Sequence, residues 1–280
     1  DQITSVEGNQ LGADFDIIFG DDGIVKYQAV SGEVTIDSRN TGQGRLPSGD
    51  YRLLEILSVE GGTAGDDILG SGIGDDILIG GLGNDKLRSG EGNDVLIGDS
   101  GRILFNSGHR SLIESMDSFN QGGTNDLLSG GDGANYLIGG LGNDEILTGF
   151  TDQDGFSLIL GDLGQINFEY DASTGINSVT GMSSSYPGIG GDDEISSNGS
   201  SDWIIAGLGS DQVSIPTGAF LSLGIGTLSP IFNNSVQYLE WSVLNSLEDS
   251  TGGSLIVMNG FNLEENNRPI LNRSGLFGEL

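Results

Sequence analysis

Residues 62–97 read GTAGDDILG SGIGDDILI GGLGNDKLR SGEGNDVLI, four nonapeptides in a row. Each carries an aspartate at its sixth position (Asp67, Asp76, Asp85, Asp94) and a leucine two residues later (Leu69, Leu78, Leu87, Leu96). The register returns at 121–147 as QGGTNDLLS GGDGANYLI GGLGNDEIL, placing Asp126, Asn135 and Asp144 in the sixth position. It returns again at 188–214 as GIGGDDEIS SNGSSDWII AGLGSDQVS, placing Asp193, Asp202 and Asp211 there. A fixed short period of this kind is the mark of a solenoid.

Each unit divides into a turn, G-G-x-G-x-D, and a short strand, x-U-x, where U is aliphatic. Glycine admits the positive φ that a tight turn demands. A three-residue strand is unstable alone. Stacked on copies of itself it builds a parallel sheet with about 4.8 Å between rungs. Two units make one coil, so turns 18 residues apart share an edge, and the U side chains point inward.

The unit G-G-x-G-x-D-x-U-x resembles the repeats-in-toxin (RTX) family of calcium-binding proteins, over about a third of the chain. The resemblance implies an all-β, right-handed parallel β-roll, secreted and folded by external calcium. The spacing supports the cation independently. The aliphatic core is thin, and stacked turns set aspartate above aspartate, which repel without a counter-ion. A Ca²⁺ between successive same-edge turns takes about 6–8 oxygen ligands from carboxylates and bare glycine carbonyls. The expected same-edge pairs are Asp67/Asp85, Asp76/Asp94, Asp126/Asp144 and Asp193/Asp211, with Asp202 joining through a neighbouring coil. Asp16 lies four residues before Gly20, as Asp94 does before Gly98, and completes the expected metal set. Asn135 departs from the pattern. Gln153 stands where the next aspartate belongs, between Asp152 and Asp154.

Composition points the same way. Fifty of 280 residues are glycine, cysteine is absent, and the formal net charge is −31. Such a charge disfavours nucleic acid and anionic membranes and favours bound cations. No apolar run is long enough for a transmembrane helix. The chain opens on Asp1 without Met, and no basic segment followed by an apolar stretch is visible. This fits a processed product or a fragment, with the roll continuing upstream.

A longer period encloses the short one. Aliphatic strands end at Gly20 (IIFG), Gly98 (VLIG), Gly161 (LILG) and Gly224 (LSLG), the last three 63 residues apart. The first three continue as GDDG, GDSG and GDLG. An excursion therefore follows every fourth short strand. Four strands are two whole coils, so all excursions should leave one edge. Their alternating segments Gly23–Val30, Arg102–Asn106 and Gln165–Tyr170 read as strands with one buried face. Stacked every second coil, ~9.6 Å apart, they could flank the roll as a side sheet. Each excursion closes on an apolar–serine segment. The expected organisation is a calcium-binding roll over 1–253, with insertions at 20–61, 98–122, 161–190 and 224–253, and a cap strand and tether over 254–280. Phe220, where the period asks for aspartate, marks the end of the repeat, helped by Pro216 and Pro230. Ser254–Met258 could supply a last strand.

Catalytic signatures are sparse. His109 is the single histidine, so HExxH is impossible and any Ser–His–Asp triad would need it. GxSxG and phosphate-loop motifs are absent, and the GxG runs belong to the turns. Trp203 and Trp241 read as core or cap. The function expected is a non-enzymatic, extracellular structural or adhesive element at a cell surface. Its expected partners are calcium and either further copies of itself, in a fibre or layer, or a surface glycan. The alternatives are a polysaccharide-binding or carbohydrate-active module on the same scaffold, and the folding and secretion tail of a larger protein.

Overall fold

The computed structural model describes residues 2–4, 15–29, 32–37, 51–59, 65–116, 124–149, 156–185, 189–198, 202–214, 220–222, 227–228 and 256–258. The chain is all-β and forms three layers. The first, here the outer sheet, is wholly parallel. It runs Gln2–Thr4, Ile68–Ile73, Lys86–Glu91, Leu127–Ser129, Glu145–Leu147, Glu194–Ser196, Gln212–Ser214 and Ile256–Met258. The middle sheet, also parallel, runs Ile17–Phe19, Ile77–Ile79, Val95–Ile97, Tyr136–Gly140, Leu158–Asp162, Trp203–Ile205 and Phe220–Ser222. The chain alternates between these two sheets, as a β-roll of two nonapeptides per coil requires.

Register follows the aliphatic position. Leu69 pairs with Leu87, Leu87 with Leu128, Leu128 with Ile146 and Ile146 with Ile195. On the facing sheet Ile18, Leu78, Leu96, Leu137, Ile159 and Ile204 stack in turn. Together they form one dry core between the sheets. Successive strands of a register thus stay aligned even where the excursions separate them by 41 or 49 residues.

The two sheets differ in what flanks that aliphatic residue. Outer-sheet strands read KLR, EIS and QVS, with one face in solvent. Middle-sheet strands read ILI, VLI and WII and are buried on both faces, the pattern of a covered parallel sheet. The cover is the side sheet. It is antiparallel, in the order Thr227–Leu228, Ile176–Ser184, Gly164–Asp171, His109–Ser115, Gly101–Asn106, Arg52–Ser58, Gly23–Ala29 and Gly32–Asp37. Val25, Ile56, Ile103, Ile113, Ile166 and Met182 from this sheet pack on Ile77, Val95, Leu158 and Trp203 in a second core.

All described excursions leave the edge where the chain passes from the middle to the outer sheet, as the even coil count requires. We call it the excursion edge and the other the plain edge. The spacing expectation needs amending. Each of the first three excursions contributes at least two strands, not one, because its apolar–serine segment is itself a strand. The ~9.6 Å interval therefore closes to ordinary strand spacing, and the hairpins pair into a continuous sheet. The first excursion, the longest, adds Gly32–Asp37 at the sheet edge.

The motif G-D-x-G steers each departure. Gly23, Gly101 and Gly164 turn so sharply that a Cβ there would strike Phe19, Ile97 and Leu160. The closing serines lock the next hairpin. Ser58 Oγ accepts from Gly101 N at 2.8 Å, and Ser115 Oγ accepts from Gly164 N at 2.8 Å.

One register expectation is corrected, and the expected last strand is present. Phe220 does not occupy an aspartate slot. It pairs with Trp203, the first strand residue, and so lies in the strand itself. Ile256–Met258 pairs in parallel with Gln212–Ser214. Pro216, Pro230, Trp241 and 261–280 lie outside the described residues.

Candidate metal columns

The sixth-position carboxylates form two columns, one along each edge. On the excursion edge the order is Asp67, Asp85, Asp126, Asp144, Asp193, Asp211. Each backbone N–H donates to Oδ1 of the next aspartate, at 2.7, 2.7, 2.9, 2.9 and 3.1 Å. The expected pairs are thus neighbours, and the column also joins them across the excursions. On the plain edge Asp16, Asp76, Asp94, Asn135, Ser157 and Asp202 follow the same rule, at 2.8, 2.8, 3.0, 3.2 and 2.7 Å. Here a further correction arises. Ser157, not Gln153, fills the rung after Asn135, because extra residues are accommodated before the strand. Asp152, Gln153 and Asp154 lie outside the described residues. The plain column therefore has two adjacent uncharged rungs.

One carboxylate oxygen is spent on the ladder. The other, Oδ2, is buried without a hydrogen-bond partner in Asp85, Asp94, Asp144 and Asp193. On the excursion edge it faces bare backbone. A Cβ added at Gly80 would meet Asp85 Oδ2 and the Gly98 carbonyl; at Gly139 it would meet Asp144 Oδ2 and the Gly161 carbonyl. At Gly161 it would meet Asp193 Oδ2 and the Ala206 carbonyl. Between rungs, carboxylate and carbonyl oxygens are therefore brought close together. Among the described residues no three acidic or histidine side chains converge on one point, so carbonyls must supply much of any coordination shell. An oxygen-only donor set with several carbonyls suits a hard cation such as Ca²⁺, and the residues present fit it.

The electrostatics state the need. Burial, and next the Asp193 carboxylate, push Asp144 up to about 10. Burial, and next Asp162, push Asp193 up to about 9. Burial alone leads the shifts of Asp85, to about 7, and of Asp94 and Asp211, to about 6. A stack of buried carboxylates cannot all ionise near neutrality without a counter-charge.

Two groups of residues escaped the sequence reading. The first is the aspartate of each G-D-x-G. Asp21 accepts from Leu82 N, and Asp99 Oδ2 from Leu141 N at 2.5 Å; Asp162 accepts from Leu208 N and Gly191 N. Each clamps the tight turn of the following rung. The glycine beneath it (Gly81, Gly140, Gly207) has φ of +107°, +123° and +112° and leaves no room for a side chain. The GD pairs were visible in the sequence, but their partners lie 29 to 61 residues away. The second is an exposed rim at the fifth position. Asn84 N donates to Asp66, Asn125 N to Asn84, Asn143 N to Asn125 and Asp192 N to Asn143. These bonds run opposite in sense to the buried ladder, so each rung is tied to the next in both directions. Outside this rim lies a cavity of about 460 Å³, bordered by Asn84, Asn125, Asn143, Asp144 and Glu194.

Comparison with known families agrees with this geometry. The RTX calcium-binding nonapeptide repeat matches in four copies, at residues 62–87, 70–102, 121–150 and 188–214. No curated protein and no solved structure matches the chain.

Proposed function

We propose that this chain, which carries four copies of the RTX calcium-binding nonapeptide repeat, is a calcium-folded extracellular structural or adhesive element and not an enzyme. The observation that carries the reading is the buried trio Asp85, Asp144 and Asp193, whose second carboxylate oxygens lie beside backbone carbonyls with no hydrogen-bond partner. Calcium, when bound, supplies the positive charge that lets these carboxylates ionise together. Asp67, Asp85, Asp126, Asp144, Asp193 and Asp211 would hold it on the excursion edge, and Asp16, Asp76, Asp94 and Asp202 on the plain edge. Since such sites do not exist in an unfolded chain, binding free energy becomes folding free energy. A chain loose at low calcium and rigid at high calcium suits secretion followed by folding outside, the habit of RTX proteins generally.

The roll is then a spine. What varies from repeat to repeat is the side sheet, and loops displayed on one face of a solenoid commonly carry its binding surface. Far-UV circular dichroism across a calcium titration tests the folding step. A sheet spectrum appearing at millimolar calcium and lost in excess chelator is expected; an unchanged spectrum overturns it. Electron microscopy of the loaded chain tests assembly. Ordered fibres or layers support a structural role, and persistent monomers shift weight to the display of a binding site.

A further inference from the structure

The strongest unassigned feature lies on the side sheet, at the hairpin joining Gly101–Asn106 to His109–Ser115. Its turn has positive φ at both central residues, Ser107 (+54°) and Gly108 (+86°), the geometry of a tight two-residue hairpin. That turn sets His109 directly opposite Asn106. The His109 ring lies flat on Tyr170 from the neighbouring strand, with centroids 3.5 Å apart and planes within 7°. Next to it, the Arg110 guanidinium sits 4.9 Å from the Tyr136 ring and 5.8 Å from the Phe168 ring. Asn106, His109, Arg110, Ser111, Phe168 and Tyr170 border a cavity of about 370 Å³, within the size range of small-ligand sites.

Arg110 is anomalous in this chain. Lys26 and Arg102, on the same sheet, are paired with Glu55 and Glu114. Among the described residues Arg110 makes no ion pair, and its Nε is buried without a hydrogen-bond partner. The one carboxylate on the cavity wall, Glu169, is exposed and does not reach it. The stem of Arg52 also lies 3.8 Å from the position a Cβ would take on Gly108. Two of the chain's ten basic residues and its only histidine thus gather at one hairpin tip of a molecule carrying −31. Leaving a partly buried guanidinium unpaired is costly. Its two flanking rings fix its plane, which prepares the fork for a bidentate anion.

We infer that this cavity binds an anionic sugar unit. The carboxylate of the sugar takes the Arg110 fork and the ring face lies against exposed Tyr170. Its hydroxyls meet Asn106, Ser107 and Ser111. An extended acidic peptide is disfavoured, because both strands that build the cavity are paired on both sides and offer no free edge to add to. This names the partner class for the adhesive role proposed above and rests on that reading for its biological sense, though not for its geometry.

The test uses the full chain in calcium, with glucuronic acid, glucose, acetate and an Asp-Gly dipeptide as probes, followed by saturation-transfer NMR and titration. Glucuronic acid should bind at least about tenfold tighter than glucose, which lacks the charge-assisted contact, and than acetate or the dipeptide, which lack the sugar ring. Tyr170→Ala and Arg110→Lys should each weaken it about tenfold, the second by keeping the charge but losing the fork. Arg110→Lys changes a partly buried position, so Tyr170→Ala, at the exposed rim, keeps the result independent of folding. Equal binding of glucose, or indifference to both substitutions, overturns the inference. So does equal binding of the dipeptide, which would assign the site to peptides. Circular dichroism of the same samples separates the two readings. A chain that folds without calcium yet binds glucuronic acid sinks the calcium role alone, and a calcium-folded chain that ignores glucuronic acid sinks only this site.

Discussion

The two edges of the roll are made from one repeat, yet they solve the same electrostatic problem differently. The plain edge turns tightly and dilutes its charge: between Asp94 and Asp202 its column passes through Asn135 and Ser157. The excursion edge keeps aspartate at all six described rungs and brings Asp21, Asp99 and Asp162 alongside. The more heavily interrupted edge is therefore the more highly charged. The difference teaches that calcium and the excursions belong together. A turn cut open by some 25 to 45 inserted residues loses the local chain connectivity that aligns its two halves. A cation bridging rung to rung, together with the aspartate clamp, restores that alignment.

The largest expected effect is calcium removal, and it should be unequal. Hydrogen exchange in chelator should release amides of the excursion-edge turns, such as Lys86 and Glu145, before those of the plain edge between Asn135 and Ser157. Simultaneous release along both edges would erase the distinction. Acidity gives the next effect. The folded values of Asp144, Asp193 and Asp85 lie above the ordinary aspartate value. The metal-free fold therefore prefers their protonated forms. The stability they contribute is fully present below about pH 4, and it is lost as pH rises through about 7 for Asp85 and 9–10 for the other two. Melting of the chelated chain should fall steadily from pH 4 to pH 9, whereas millimolar calcium should flatten or reverse the trend. A rising curve in chelator would contradict the picture.

A paired substitution sharpens the comparison further. Asp144→Asn keeps the Oδ1 acceptor and removes the charge. It should raise the melting temperature without calcium and lower it with calcium, by several degrees each way. Asn135→Asp on the plain edge should do the opposite and raise the number of calcium ions counted by isothermal titration. If both substitutions shift melting alike with and without the metal, the aspartates act only as turn caps. Smaller still is Gly101→Ala, whose new Cβ meets Ile97; overpacking of this kind costs about 1–3 kcal/mol, read by urea unfolding in calcium. Smallest is Asn84→Ala on the exposed rim, which removes the solvent-facing bonds from Asn84 Nδ2 to Asp66 and from Asn125 N to Asn84 Oδ1, about 0.5–1 kcal/mol in all because water replaces both.

Much of this molecule was legible because its contacts are periodic. Within 62–97 every rung meets the next 18 residues on, so Asp67/Asp85 and Leu78/Leu96 could be paired from spacing alone. The common exit edge followed from parity. Where an insertion of variable length intervenes, spacing stops carrying register. Ser157 rather than Gln153 is of this kind, and Phe220, a strand residue, shows the period also failing by shortening. The two-sided burial of the middle sheet was written in alternate repeats, ILG against ILI and KLR against VLI, but it is visible only once the units are sorted by coil face.

The sequence by itself determined the unit, the two-per-coil winding, the position of the carboxylates and the edge from which the excursions leave. All of these depend on short-range periodicity that a linear chain displays directly. Only the tertiary structure decided that the sixth-position side chains run as continuous hydrogen-bonded ladders, and that paired hairpins make a third layer. It alone brought His109, Arg110, Phe168 and Tyr170 to one cavity. Those outcomes depend on which strands meet after detours of 40 to 60 residues, and a detour's length says nothing of where its ends are brought back together.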